Sequence, residues 1–113
     1  MAARRLHPAA DHRGRRSGKL RRTALIYGRD GDRYLVVASV GGSAKHPAWY
    51  LNLTEHPEVQ VQVGPDRFTA TARTAGPEEK PRLWSVMTAI WPAYEGYQRR
   101  TRRDIPVVIL ERT

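Results

Sequence analysis

From Thr23 onward, short apolar stretches alternate with turn residues, a pattern that predicts strands joined by tight connections. TALIYGR (23–29) and RYLVVAS (33–39) flank Asp30-Gly31-Asp32, whose Asp-Gly step tolerates the positive φ of a hairpin turn. The second stretch is nearly unbroken in its apolar run, as in a strand buried on both faces. Between Glu58 and Gly64, Val59, Val61 and Val63 face one side and Gln60 and Gln62 the other. After Gly64-Pro65-Asp66, Phe68, Ala70 and Ala72 alternate with Thr69, Thr71 and Arg73, which predicts an antiparallel hairpin with one wet face. Ile105–Leu110 reads as the last strand. Helical periods fill the gaps. Ala48–Thr54 fits two turns, opened near Pro47 and ended by Pro57. Pro77-Glu78-Glu79 opens a second helix, whose apolar stripe is Leu83, Val86, Met87, Ile90 and Trp91. Pro92 interrupts it, and Ala93–Arg103 predicts a short exposed helix with Tyr94 and Tyr97 one turn apart. Five mostly antiparallel strands with two or three short helices make an α+β domain on a small sheet or barrel. Residues 1–18 show no apolar period and contain Pro8, Gly14 and Gly18, so the N-terminus reads as a basic, mobile arm.

A chain of 113 residues has room for one domain, and its apolar and charged fractions are ordinary for a globular protein. No apolar run approaches the ~20 residues of a membrane span, and no signal-peptide core is visible, so the expected location is cytoplasmic. The absence of cysteine excludes disulfides, thiolate metal sites and thiol nucleophiles. Charge changes the picture more. The net charge is +9, and 17 of the 20 cations are Arg. Residues 1–22 hold eight cations against one acid, whereas residues 23–98 hold seven against eight and are near neutral. An anionic partner follows: nucleic acid, peripheral contact with an acidic membrane surface, or a small ligand with several negative charges.

Two segments carry candidate chemistry. GRRSGKLRRT (14–23) sets Arg15, Arg16, Lys19, Arg21 and Arg22 around Ser17-Gly18, a combination of forked charge, hydroxyl and close backbone approach that suits an anion. It lacks the spacing of a nucleotide-phosphate loop, and a solvated arm reads as well from these residues alone. ASVGGSAKHPAWYLNL (38–53) brings Ser39 onto Gly41-Gly42 and then a helix with Trp49 and Tyr50, a cradle for a flat ring. The plainer reading of the same residues is a turn followed by core aromatics. His7, His12, His46 and His56 show no metal-ligand spacing, and no metal site is expected. Trp84 and Trp91 read as core.

Three segments together resemble the deazaflavin-dependent nitroreductase family of actinobacterial flavin/deazaflavin oxidoreductases. They are GRRSGKLRRTAL (14–25), VVASVGGSAKHPAWYLNLTEHPEVQVQV (36–63) and WPAYEGYQRRTRRDIPVVILE (91–111), with HPAWYLNL and YxxYQ…TxRxIPVV the most specific motifs. The resemblance spans residues 14–113. It implies a split β-barrel of FMN-binding-like architecture, commonly a homodimer. The implied cofactor is coenzyme F-420, a deazaflavin with a phosphate and several glutamates on its tail, rather than FMN. It further implies hydride transfer from that coenzyme to a quinone, a nitroaromatic or a conjugated ketone. Carried over by motif position, Arg15, Arg16, Ser17 and Arg21 would meet the phosphate and tail. Leu25, Ala38, Ser39, Ala48, Trp49, Tyr50 and Asn52 would line the deazaflavin. Tyr94, with Ser39, would be catalytic, closing over the site and positioning or protonating the acceptor.

The chain departs from the family at two places. PAADHR stands where members run an apolar first strand into the GR[KR][ST]G turn, so that strand is expected to be missing or the N-terminus shortened, leaving residues 1–13 as an arm. Val40 replaces a frequent Lys. Two other readings stay open: a basic nucleic-acid-binding module, against which stands the lack of exposed aromatics on the strands, and a non-catalytic family member that binds F-420 or FMN.

Overall fold

The computed structural model describes residues 5–13, 20–39 and 46–113, with side chains described at 25–39 and 46–113. Among these residues, six strands appear in the order β1 (Arg5–Arg13), β2 (Leu20–Asp30), β3 (Arg33–Val37), β4 (Glu58–Val63), β5 (Asp66–Thr74) and β6 (Val107–Arg112). They close into an antiparallel barrel with neighbours β1-β2-β3-β6-β5-β4. Three helices complete the α+β fold: α1 (Ala48–Glu55) after β3, then α2 (Lys80–Ile90) and α3 (Ala93–Arg99) between β5 and β6.

The β2–β3 and β4–β5 hairpins each turn on a glycine at the first loop position. Asp30 pairs with Arg33 around Gly31 at φ 63°, and Val63 pairs with Asp66 around Gly64 at φ 59°. A positive φ at that position alone matches a type II′ turn, whose twist suits antiparallel strands. Strand β3 is buried from Tyr34 to Val37 because the two faces of the barrel wall are both covered. Tyr34 and Val36, with Val108 and Leu110 of β6, fill the barrel interior beside Phe68, Ala70 and Val61. Leu35 and Val37, with Val107 and Ile109, face outward onto Leu83 and Met87 of α2 and Tyr94 of α3. Each such side chain contributes about 1.5–3 kcal/mol by leaving water. Alternation in β4 and β5 is one-sided, as expected, with Val59, Val61, Phe68, Ala70 and Ala72 inward.

Helix α2 lies close against β2 at Gly28. A Cβ there would sit 2.7 Å from Met87 Sδ and 3.0 Å from Ile90 Cδ1. Met87 is fully buried, so its side chain must repack within the core to make room. Gly28→Ala is therefore expected to lower stability by about 1–3 kcal/mol through overpacking, read as a lower urea midpoint at unchanged slope.

Four expectations are corrected. Residues 5–13 form β1 instead of an arm, so the first strand is present. Ala10 pairs with Thr23 of β2 and with Val61 of β4, which closes the barrel. Backbone pairing does not require apolar side chains, and Pro8, which cannot donate, lies where the β1–β2 register shifts between Leu6 and Ala10. Helix α3 stops at Arg99 rather than Arg103. Tyr94 is buried, at 6% exposure, because α3 turns it onto the outer apolar cluster. Trp84 is only half-buried, and its indole N–H donates to Glu95 at 2.7 Å.

Candidate functional site

One end of the barrel gathers the end of β3, the start of α1 and the segment leading into β6. Ala38 continues the β3–β6 ladder, its N–H donating to Pro106 O at 2.9 Å. The chain then turns sharply, with Ser39 N–H donating to Val37 O at 3.0 Å. It re-enters at His46, and Pro47 caps α1 with an extended φ of −64° and ψ of 149°, its carbonyl accepting from Tyr50 N–H. Proline at this point pre-sets the direction of the helix without losing a needed donor.

The segment before β6 is held by side chains acting as backbone substitutes. Gln98 donates from Nε2 to Arg103 O at 2.8 Å and accepts at Oε1 from Ile105 N–H at 2.9 Å. Thr101 Oγ1 accepts from Arg103 N–H at 3.3 Å. So fixed, Arg103 points back across the site. Its Nη1 donates to Ala38 O at 3.2 Å and lies 3.0 Å from His46 Nδ1. The His46 ring leans on Tyr50, centroids 4.9 Å apart, and Tyr50 in turn meets Trp49 edge-on at 6.3 Å. The Tyr50 hydroxyl shares a 2.7 Å hydrogen bond with Thr74 Oγ1 of β5.

Burial shapes the charges here. It lowers the proton affinity of His46, and the Arg103 charge adds to that effect. Arg103 is itself pulled below its usual value by burial, with Tyr50 acting the other way. Guanidinium, imidazole and hydroxyl donors around half-buried aromatic faces suit a planar ring with oxygen atoms on its edge.

The expected ring-lining residues divide. Leu25, Trp49 and Tyr50 are half-buried against the barrel-interior cluster, which Ala38 joins fully buried. Ser39 is half-buried at the strand end, and Asn52 is buried on α1. Ala48 is exposed. Tyr94 belongs to the outer cluster, with Val37 and Ile105, the neighbours of Ala38 and of the Arg103 segment. Burial pushes its phenol up to about 12, so it stays protonated. Arg15, Arg16, Ser17 and Val40 lie outside the described residues. Arg21 lies in β2 opposite His12, with its side chain outside them.

Sequence reasoning missed His46, Thr74, Gln98 and Arg103. His46 opens the HPAWYLNL motif and the last two stand inside YxxYQ…TxRxIPVV, and the fixed spacing of these motifs was the available signal. Among the described residues, no three His, Asp or Glu side chains come together. A separate surface cleft of about 340 Å³ lies between α2 and the 98–104 segment, lined by Pro77, Lys80, Pro81, Trp84, Gln98 and Asp104. Again among the described residues, no helix is long and apolar enough to cross a membrane.

Comparison with known proteins gives a consistent result. A family model described as F420H(2)-dependent quinone reductase matches residues 10–112. An F420H(2)-dependent quinone reductase of Mycobacterium tuberculosis is 45% identical over 102 residues, 88% of this chain and 68% of that protein. Among solved structures, one described as an F420-H2 dependent reductase is 38% identical with a TM-score of 0.84, covering 95% of this chain and 92% of its own. Another, described as a domain-swapped dimer, is 36% identical with a TM-score of 0.87, covering 98% and 82%.

Proposed function

Because the chain belongs to the F420H(2)-dependent quinone reductase family, we propose that it transfers a hydride from reduced coenzyme F-420 to a quinone. Nitroaromatics and conjugated ketones form the wider class of electron-poor acceptors. The observation that carries this reading is the 45% identity across most of the chain, joined to the aromatic and cationic end of the barrel. The donor set there fits the cofactor, a flat ring with carbonyl oxygens on its edge.

When bound, the reduced deazaflavin supplies the hydride, chemistry that belongs to the coenzyme rather than the protein. The protein's residues hold, orient and keep out water. Ala38, with its small side chain, allows close approach, while Leu25, Trp49, Tyr50 and Asn52 line the ring and Ala48 borders it. Ser39 supplies a hydroxyl at the strand end. Tyr94 acts as a hydrogen-bond donor toward the acceptor oxygen, a role its protonated state supports. Arg15, Arg16, Ser17 and Arg21 take the anionic tail, a role supported by their concentration around one Ser-Gly turn. The protein works as a homodimer, in keeping with the domain-swapped dimer among its structural relatives.

Fluorescence titration with F-420 and with FMN, at low and at physiological salt, tests the cofactor assignment. F-420 is expected to bind better, and more weakly as salt rises. Tight FMN binding without F-420 binding would overturn it. Arg16→Ala and Arg21→Ala are each expected to weaken F-420 by about 10- to 150-fold, the loss of one or two charge-assisted hydrogen bonds. Unchanged affinity in both variants moves the tail site elsewhere.

A further inference from the structure

We propose that Arg103 is a positioning residue: it locks His46 in a single tautomer and so presents the His46 Nε2–H as a fixed donor for a carbonyl oxygen on a planar conjugated ring. The inference rests on the reductase reading, in which cofactor and quinone both carry such oxygens.

The assignment follows from hydrogen-bond chemistry. A guanidinium has donors and no acceptor, and it keeps its proton at any working pH. The 3.0 Å approach of Arg103 Nη1 to His46 Nδ1 therefore requires a lone pair on Nδ1. A neutral imidazole with Nδ1 unprotonated carries its proton on Nε2. The doubly protonated ring is excluded at that distance because neither nitrogen then accepts.

The lock is rigid on both sides. Arg103 is held at its backbone by Gln98 and Thr101, and its Nη1 also donates to Ala38 O at 3.2 Å. His46 is held by Pro47 in the chain and by the Tyr50 ring at 4.9 Å, with Tyr50 anchored to Thr74. Among the described residues, the charged and titratable groups that face the imidazole are Arg103 and Tyr50, and no carboxylate bonds it. Burial and the Arg103 charge both oppose protonation, which agrees with the geometry. Among the described residues nothing bonds Nε2, and the ring is half-buried rather than sealed. A donor whose direction is set beforehand costs little to reorganise when an oxygen gains negative charge beside it.

Long-range ¹⁵N–¹H spectra of the full chain, with labelled histidine, read the tautomer directly. His46 is expected to carry its proton on Nε2 when neutral and to titrate below the ordinary histidine value near 6.5. A wild-type His46 carrying its proton on Nδ1, or titrating at or above 6.5, overturns the proposal before any variant is made. In Arg103→Met the same signal should mix tautomers and titrate closer to the ordinary value; an unchanged signal there also overturns it. His46→Phe keeps a ring against Tyr50 and removes the donor. About a 10-fold weaker F-420 titration assigns the carbonyl to the cofactor. About a 10-fold lower kcat/KM for a quinone at unchanged F-420 affinity assigns it to the acceptor. No change in either removes the donor role. If wild-type protein binds no F-420, the reductase reading falls, while the tautomer spectra still judge the Arg103–His46 lock.

Discussion

Deleting residues 1–13 is expected to abolish cooperative folding, and with it F-420 binding. Strand β1 is bonded on both edges, to β2 and to β4, and α1 packs against it as well. Without it the barrel has two unpaired edges, along β2 and β4, and the apolar interior behind Val59 and Val61 opens to water. Ladder hydrogen bonds contribute about 1 kcal/mol each net, and a domain of this size has only about 5–15 kcal/mol in total. Losing a strand paired on both sides removes a large part of that. Open edges also template aggregation. Circular dichroism melts and size-exclusion elution of the shortened chain check this. A sharp transition near the wild-type temperature, with F-420 affinity kept, would restore the reading of these residues as a basic, mobile arm.

Replacing Tyr94 by Phe is expected to lower quinone turnover by about 10- to 1000-fold while leaving fold and F-420 affinity intact, provided the hydroxyl donates to the acceptor. Two observations bear on this. The phenol, pushed up to about 12 by burial, is a hydrogen-bond donor and a poor proton source at neutral pH. The ring also packs in the outer cluster with Leu83, Met87 and Ile105. Tyr94→Ala should thus cost about 3–5 kcal/mol through the cavity it leaves, whereas Phe fills nearly the same volume. Steady-state rates and thermal melts of both variants separate the roles. Wild-type turnover in Tyr94→Phe would make Tyr94 a packing residue only. The burial has a pH signature too. The folded form holds its proton more tightly than the unfolded one, so this contribution is complete below pH 10 and falls as pH rises from about 10 to about 12. Urea midpoints across that range should fall more steeply in wild-type protein than in Tyr94→Phe.

Much of the architecture was legible because local chemistry and tertiary contacts agree. Gly31 and Gly64 sit where the chain needs positive φ, and Asp30-Gly31 already suggested it. Alternation in 58–63 and 66–74 survives as one inward and one outward face, since a half-covered sheet imposes that period. The unbroken run Tyr34–Val37 correctly announced a wall covered on both sides.

What the sequence by itself determined is the elements from Thr23 onward, the turns between them, the concentration of positive charge and the family motifs, because each is written in neighbouring residues. The tertiary structure alone decided the rest. PAADHR has no strand signal of its own; it becomes β1 because β2 and β4 each leave an edge whose hydrogen bonds must be filled. Tyr94 looks exposed on a short helix until α3 is laid on the outer wall. His46 and Arg103, 57 residues apart, carry no mutual signal in the chain. They meet because Gln98 and Thr101 bend the approach to β6 back over the end of β3, and a contact between two distant loops depends on how the barrel closes rather than on any local pattern.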